Sequence, residues 1–224
     1  MSTVAHAEIP AIPRPRLRGV SHAYAAFVAG VIAIVLVATS SSGAARLAAL
    51  IYGAGLIALF AGSGLYHRWP WDPRWRPLLR RVDHSTIFIF IAASYTPPAL
   101  LVLHGTTQAL VLAGVWLGAL AGVTLSVAWI DAPRLAVALA YIGIGWVIVI
   151  ALPQVFDETG AVPTALFLGG GLLYSAGATI YAARRPDPWP RTFGFHELFH
   201  LLVVAAAIVH FIAMAAWVVP YAAA

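Results

Sequence analysis

The sequence predicts an all-α polytopic membrane protein, a seven-transmembrane helix bundle with its N-terminus in the cytoplasm. Three observations support this prediction: the composition, the spacing of the apolar segments and the distribution of the arginines. Of the 224 residues, 62% are hydrophobic and only 9% are charged, whereas soluble domains carry roughly 25% charged residues. The chain has no cysteine, which excludes a disulfide framework and a thiolate metal site.

Seven apolar segments follow one another, each near the ~20 residues that an α-helix needs to cross a bilayer. They cover residues 20–39, 47–66, 87–103, 109–130, 135–152, 162–183 and 198–219. The linkers are rich in serine, glycine and proline and are too short for a separate domain. We expect residues 1–19 to form a cytoplasmic tail, 20–219 the membrane domain and 220–224 an external tail. No cleavage pattern precedes the first span, so we expect it to be retained.

All thirteen basic residues are arginines, and they are distributed unevenly over the two sides of such a bundle. With seven spans, the N-terminal tail and the second, fourth and sixth linkers share one side, and the opposite side holds only Arg46. The other twelve are Arg14, Arg16, Arg18, Arg68, Arg74, Arg76, Arg80, Arg81, Arg134, Arg184, Arg185 and Arg191. Cytoplasmic loops carry the excess of arginine, which predicts a cytoplasmic N-terminus and an external C-terminus. The positive charge therefore indicates orientation, and we expect no nucleic-acid partner.

The composition also indicates the membrane in which the chain resides. It is rich in alanine, glycine and arginine and has no lysine, which is typical of a GC-rich bacterial genome. We therefore expect the protein in the bacterial inner (plasma) membrane.

Four polar residues lie next to the predicted cytoplasmic ends of three spans. His67 follows the second span, Asp83 precedes the third, and His196 and His200 open the seventh in the stretch FHELFH. Even-numbered spans end, and odd-numbered spans begin, on the cytoplasmic side, so topology alone places these residues at one depth. His196 and His200 are four residues apart, so both lie on one face of a helix, about 6 Å apart along its axis.

This arrangement predicts a Zn²⁺ site with hydrolytic chemistry. Its ligands are His67, His196 and His200, because three neutral histidines leave one position of a tetrahedral zinc ion open to water. Bound zinc brings the pKa of that water toward about 7, and Asp83 can orient the water or take its proton. Ser63, four residues before His67, can hold that histidine or polarise a substrate carbonyl. Asp83 and Ser63 are therefore the candidate catalytic residues.

These residues also have purely structural interpretations. A histidine near a helix end often makes only interfacial hydrogen bonds. Asp83 can pair with Arg80 or Arg81, or stabilise the N-terminus of the third helix. Ser63 can serve close helix packing, because small residues are common where membrane helices meet.

The same stretch contains a competing motif. HELFH matches H-E-x-x-H, in which Glu197 would be the general base of a zinc metalloprotease. No Asp or Glu follows Glu197, so the third ligand has to come from another helix, which favours His67. An intramembrane protease is therefore the less favoured enzyme.

Three further features lie deeper in the predicted spans. His22 and His210 are in the first and last spans, where polar groups are costly and often functional. His210 is ten residues beyond His200, or ~15 Å deeper, so it cannot share the same ion. We interpret it as an interhelical hydrogen bond or as cavity lining. Pro97 and Pro98 predict a kink or a break in the third helix, with room for a lipid tail.

Three motifs occur in order on the second, third and seventh spans: SGLYH, RRVDHSTIFIFIAASYTP and HELFHLLVVAAAIVHF. Together they resemble the hemolysin III family, the bacterial branch of the progestin and adiponectin receptor (PAQR) family, over nearly the whole chain. The resemblance implies a seven-helix fold with a cytoplasm-facing zinc site. It assigns the zinc-binding histidines to His67, His196 and His200, the water-linked aspartate to Asp83 and the motif serine to Ser63. The wider superfamily includes alkaline ceramidases, so the resemblance favours hydrolysis of a lipid amide.

Three classes of function remain open at this stage. The preferred one is a zinc-dependent hydrolase of a lipid amide or ester whose head group reaches the cytoplasmic interface. The second is a receptor or sensor in which zinc is structural and a membrane lipid is a ligand. The third is a lytic, pore-forming protein, as the family name implies, but the sequence shows no polar stripe along several helices.

Overall fold

The computed structural model describes residues 14–221, which are almost entirely α-helical. The helices are α1 (Val20–Thr39), α2 (Gly43–Arg68), α3 (Arg76–Leu101), α4 (Gly105–Ala128), α5 (Arg134–Gly145), α6 (Ile148–Thr159), α7 (Ala161–Ala183), α8 (Phe195–Ala213) and α9 (Val219–Tyr221). A π-helical turn, Met214–Val218, joins α8 to α9. The all-α class is therefore confirmed. Of the two predicted tails, residues 1–13 and 222–224 lie outside the described residues.

Within residues 14–221, six passages are long and apolar enough to cross a membrane: α1, α2, α4, α5 with α6, α7, and α8 with its continuation to Tyr221. The chain is thus a multi-pass membrane protein. The sequence predicted a seventh passage at residues 87–103, and α3 occupies this position. It is 26 residues long, as long as α2, but its first two turns carry three arginines.

α3 is the interior helix of the bundle. It packs on α2, α4 and α5, and half of its residues are buried, among them Ser85, Ser94 and Thr96. A helix in this position needs little lipid-facing apolar surface, so it tolerates polar residues that a peripheral helix would not. It starts eleven residues before the predicted position, so Asp83 lies inside the helix and not in front of it. The predicted break at Pro97 and Pro98 is wrong, because the helix continues through both to Leu101.

The fifth passage consists of two helices instead of the single predicted one. α5 ends at Gly145, and α6 begins at Ile148 after a short turn. The hydroxyl of Tyr95 from α3 donates to the carbonyl of Gly145 and accepts the Ile148 N–H at 3.0 Å. This side chain therefore takes the place of backbone hydrogen bonds that a continuous helix would make. The indole N–H of Trp146 in the turn donates to Ser175 of α7 at 2.9 Å.

The bundle closes into a ring. Sequential neighbours pack together around it, and α1 returns to contact α8 as well as α2. Small residues let α1, α2 and α3 approach closely: a Cβ added at Gly53 would lie 2.6 Å from Ala33, and one at Gly55 would lie 2.6 Å from Ala93. The closed ring brings the end of α2, the first turns of α3 and the start of α8 to the same place.

Residues 16–19 bind to this end of the bundle. The backbone N–H groups of Arg16 and Leu17 donate to the carbonyls of Arg191 and Thr192, both at 3.1 Å. Gly19 then turns the chain into α1 with a φ of 75°. A Cβ at this position would lie 2.5 Å from the Cβ of His67. Glycine is thus required here both by the backbone conformation and by the close approach.

Candidate metal centre

Three histidines converge where α2 ends and α8 begins. His67 lies in the last turn of α2, and His196 and His200 lie on one face of the first two turns of α8. One ring nitrogen from each can be chosen so that all lie within 4.8 Å of one another. Within residues 14–221, no other group of three or more His, Asp or Glu side chains has this geometry. The predicted triad therefore forms a cluster that can hold a metal ion.

The start of α8 explains why its two histidines are fixed. The Glu197 carboxylate accepts the backbone N–H of Gly194 at 2.8 Å, a capping interaction that satisfies one N–H at the helix start. The Asp187 carboxylate accepts the next N–H, from Phe195, at 2.8 Å. With the first turn held in this way, His196 and His200 keep their i, i+4 relation.

The chemistry of the cluster fits zinc. The Nε2 atoms of His67 and His196 face each other at 3.3 Å, and two nitrogens at ~2.1 Å from a tetrahedral zinc ion lie about 3.4 Å apart. Two neutral acceptor nitrogens repel each other at this distance unless a proton or a cation lies between them. Nδ1 of His200 is buried and has no hydrogen-bond partner among the described residues.

Asp83 and Ser63 complete one side of the cluster. The Asp83 carboxylate lies 3.7 Å from Nε2 of His67, and Ser63 lines the same cavity as Asp83. Both residues are buried, with 8% and 4% of their surface exposed. The alternative, structural pairing of Asp83 with Arg80 or Arg81 is not seen: Arg80 pairs with Asp131 at 3.1 Å, and Arg81 donates to the Val127 carbonyl at 3.0 Å.

Glu197 has contacts that differ from those expected of the general base in a protease motif. Besides capping α8, its carboxylate forms an ion pair with the guanidinium of Arg18, and only 3% of the residue is exposed. Both oxygens therefore have partners: one pairs with Arg18 and holds the N-terminal segment against α8, and the other accepts the Gly194 N–H and caps the helix. This arrangement fits a structural role and leaves no oxygen free for a general base.

A cavity with a volume of about 110 Å³ leads from the histidines into the bundle. Its polar end is lined by His22, Ser63, Asp83, His196 and His200. Its remaining wall is mainly apolar and includes Phe90, Ile91, Ile148, Phe167 and Val203. The broken fifth passage contributes to this wall, and Tyr95, Gly145 and Trp146 also line the cavity.

His22 and His210, which lie outside the triad, also line this cavity. Nε2 of His210 lies 3.1 Å from the Phe167 carbonyl of α7, so both parts of the interpretation of His210 are confirmed. His22 stacks on His200, with ring centroids 3.8 Å apart and planes within 4°. The sequence pattern did not predict His22 as a site residue. α1 begins at the same end of the bundle as α3 and α8, which gives the depth of His22 but not its contact with His200.

The helical bundle and the histidine cluster define a class: multi-pass membrane proteins with a candidate metal site inside one end of the bundle. A family model described as Haemolysin-III related matches residues 11–211. The chain belongs to the hemolysin III family, within the wider PAQR family.

Individual relatives agree with this assignment. Hemolysin-3 of Bacillus cereus is 29% identical over 192 residues, which cover 86% of this chain and 84% of that protein. The Hemolysin-3 homolog of Bacillus subtilis (strain 168) is 28% identical over 161 residues, 72% of each chain. Human Monocyte to macrophage differentiation factor is 28% identical over 176 residues, which cover 75% of this chain and 69% of that protein. The similarity therefore extends over most of the membrane bundle.

Proposed function

We propose that this protein is a zinc-dependent hydrolase of a lipid amide or ester, with its site at the cytoplasmic end of a bundle in the bacterial cell membrane. The observation that carries the proposal is a histidine triad with a neighbouring carboxylate at the polar end of a long apolar cavity. Hydrolysis of a lipid needs both features in one place. A sensor would need only the metal ligands.

His67, His196 and His200 would hold the zinc ion. Zinc supplies a Lewis acid that brings the pKa of a coordinated water toward about 7 and polarises a carbonyl group. Imidazole nitrogens suit this metal, and the absence of cysteine from the chain leaves histidine as the ligand for such a site.

Asp83 would act as the general base. Its carboxylate is next to His67, and it would accept a proton from the attacking water and pass it to the leaving nitrogen or oxygen. Water oxygen then forms a new bond to the carbonyl carbon as the C–N or C–O bond breaks. Ser63 would orient Asp83 by donating its hydroxyl hydrogen to the carboxylate.

The apolar wall of the cavity would bind the hydrocarbon chain of the lipid. A chain laid along Phe90, Ile148 and Phe167 buries apolar surface, which contributes about 0.8 kcal/mol per CH₂ group. The amide or ester would then lie at the polar end, within reach of the carboxylate and the histidines. A protease would not need an apolar cavity of this kind, and the Glu197 carboxylate already pairs with Arg18 and accepts the Gly194 N–H.

A pair of isosteric substitutions tests the enzyme. Asp83→Asn keeps the size of the side chain but removes the base, so bound zinc should persist while turnover falls by ~10²–10⁴-fold. Glu197→Gln should keep turnover per metal-loaded molecule and lower thermal stability, because the ion pair with Arg18 is lost. Zinc content and fatty-acid release from ceramides and acylated lipids in bilayers measure both effects. If the zinc-loaded wild type releases no fatty acid from any of these lipids, the sensor replaces the enzyme.

A further inference from the structure

His22 is a polar residue of the cavity that the hydrolytic mechanism does not use. It lies in the first turn of α1 and is 2% exposed. The edge of its ring contacts Phe60, with centroids 5.0 Å apart, and one face stacks on His200. Neither ring nitrogen makes a hydrogen bond of normal geometry with a described residue. A phenylalanine would fill this space without burying two polar atoms.

An imidazole in this state has hydrogen-bonding capacity that a ligand in the cavity can use. A neutral ring offers one N–H donor and one acceptor nitrogen, and a buried polar group without a partner costs about 1–3 kcal/mol. A carbonyl oxygen can satisfy only the donor. A hydroxyl or an amide N–H can satisfy the acceptor nitrogen, so a ligand that has such a group satisfies His22 more fully than a simple ester does.

We propose that His22 binds the head group of the lipid in the cavity, and that it selects lipids with a hydroxyl or amide N–H donor over simple esters. The inference rests on the proposed function only in that a lipid occupies the cavity. The position of His22 supports it, because the stack on His200 places the ring beside the triad, where the head group would lie. His22 thereby becomes a specificity-determining residue contributed by α1.

Binding of two matched lipids tests the proposal. N-(2-hydroxyethyl)oleamide and methyl oleate share one acyl chain and a carbonyl, but only the first has hydrogen-bond donors. Displacement of a fluorescent fatty acid from the full-length, metal-loaded protein gives both affinities. We expect the wild type to prefer the amide by about tenfold, and His22→Phe to abolish this preference without weakening methyl oleate binding. Comparing the ratio between variants cancels any difference in how the two lipids partition into the bilayer.

Two further variants sharpen the test. His22→Leu removes the nitrogens without a ring, so it should lose the preference as well, whether or not His22→Phe folds. His104→Phe changes a histidine outside the cavity whose Nδ1 lies 2.7 Å from the side-chain nitrogen of Gln154, so it should keep the wild-type preference. An unchanged preference in both His22 variants overturns the proposal. So does loss of bound metal in both, because His22 would then act on the metal site.

The displacement measurement requires no turnover, so its outcome can be distinguished from the outcome of the test for hydrolase activity. If the protein shows the His22-dependent preference but releases no oleate, the role of His22 stands and the proposed hydrolase activity is wrong. If the protein hydrolyses both lipids and substitution of His22 changes nothing, the hydrolase stands and the proposed role of His22 is wrong.

Discussion

The two facing Nε2 atoms of His67 and His196 determine what this cluster can do. At 3.3 Å, these nitrogens can share the N–H hydrogen of one neutral ring or bind a common cation. A metal ion held between them would also engage His200, the third member of the triad. Loss of metal binding is therefore the measurement that tests each ligand.

Single alanine substitutions should reveal the ligands. We expect His67→Ala, His196→Ala and His200→Ala each to lower zinc affinity by more than the ~10–100-fold that follows loss of an outer partner. Zinc titration of the purified variants measures the affinity. His210→Ala is the control and should keep the wild-type value, because His210 lies deeper and bonds Phe167. Full zinc affinity in His67→Ala would show that α2 contributes no ligand.

At the residue scale, sequence reasoning reached the triad because topology alone gives the last turn of α2 and the first turns of α3 and α8 the same depth. The packing of the helices into a closed ring then brings together His67, Asp83 and His196. Sequence reasoning did not reach His22, because a single histidine in an apolar helix carries no spacing signal. The stack on His200 depends on how α1 packs against α8, which the sequence does not encode locally.

At the scale of elements, residues 16–19 lead into α1 and pack against the metal site. Gly19 has a φ of 75°, and a Cβ there would lie 2.5 Å from the Cβ of His67. Gly19→Ala should therefore displace His67 and lower zinc affinity, in addition to the ~1–2 kcal/mol cost of a left-handed alanine. Zinc titration and thermal unfolding separate these two effects.

Gly105→Ala is the matched control for this substitution. Gly105 also has a positive φ, 60°, but it starts α4 and has open space where a Cβ would be. It should lose a similar amount of stability and keep full zinc affinity. Equal zinc affinity in Gly19→Ala and Gly105→Ala would mean that α1 does not support His67.

The broken fifth passage depends on one hydroxyl. Tyr95 bonds the Gly145 carbonyl and the Ile148 N–H, so Tyr95→Phe leaves both without this partner and should cost about 1–3 kcal/mol of stability. Tyr174→Phe removes a buried hydroxyl that has no partner among the described residues, so it should be neutral or stabilising. Unfolding in detergent compares the two. Equal stability would show that the break does not depend on Tyr95.

This break also shows why the bounds of the helices were only partly predictable from the sequence. The hydrophobic run from 135 to 152 reads as one continuous span, since Gly143 and Gly145 are tolerated in membrane helices. The interruption comes from Tyr95 on a different helix, so it is a property of tertiary packing. The cavity that the break helps to form was unpredictable for the same reason. The start of α3 was missed because its first two turns are charged and therefore read as a linker.

At the scale of the whole molecule, one end of the bundle combines the arginines with the candidate site. Arg16 and Arg191 share a backbone hydrogen bond there, and Arg68 donates to the Arg16 carbonyl. Arg46, at the start of α2, instead donates to the Ser40 carbonyl at the opposite end. The side on which the arginine-rich end lies therefore also decides from which compartment the histidines receive their metal and substrate.

The arginine asymmetry predicts that this end faces the cytoplasm, because basic residues near span ends are retained on that side. Reporter fusions after Tyr221 should therefore give active alkaline phosphatase, which folds outside, and a dark green fluorescent protein, which fluoresces only in the cytoplasm. Fusions after Arg185 provide the internal control, since the linker between α7 and α8 lies at the arginine-rich end and should give the reverse pattern. Fluorescence from the C-terminal fusion would contradict the prediction. It would place the triad and the mouth of the cavity outside the cell, and lipids of the outer leaflet would then become the candidate substrates.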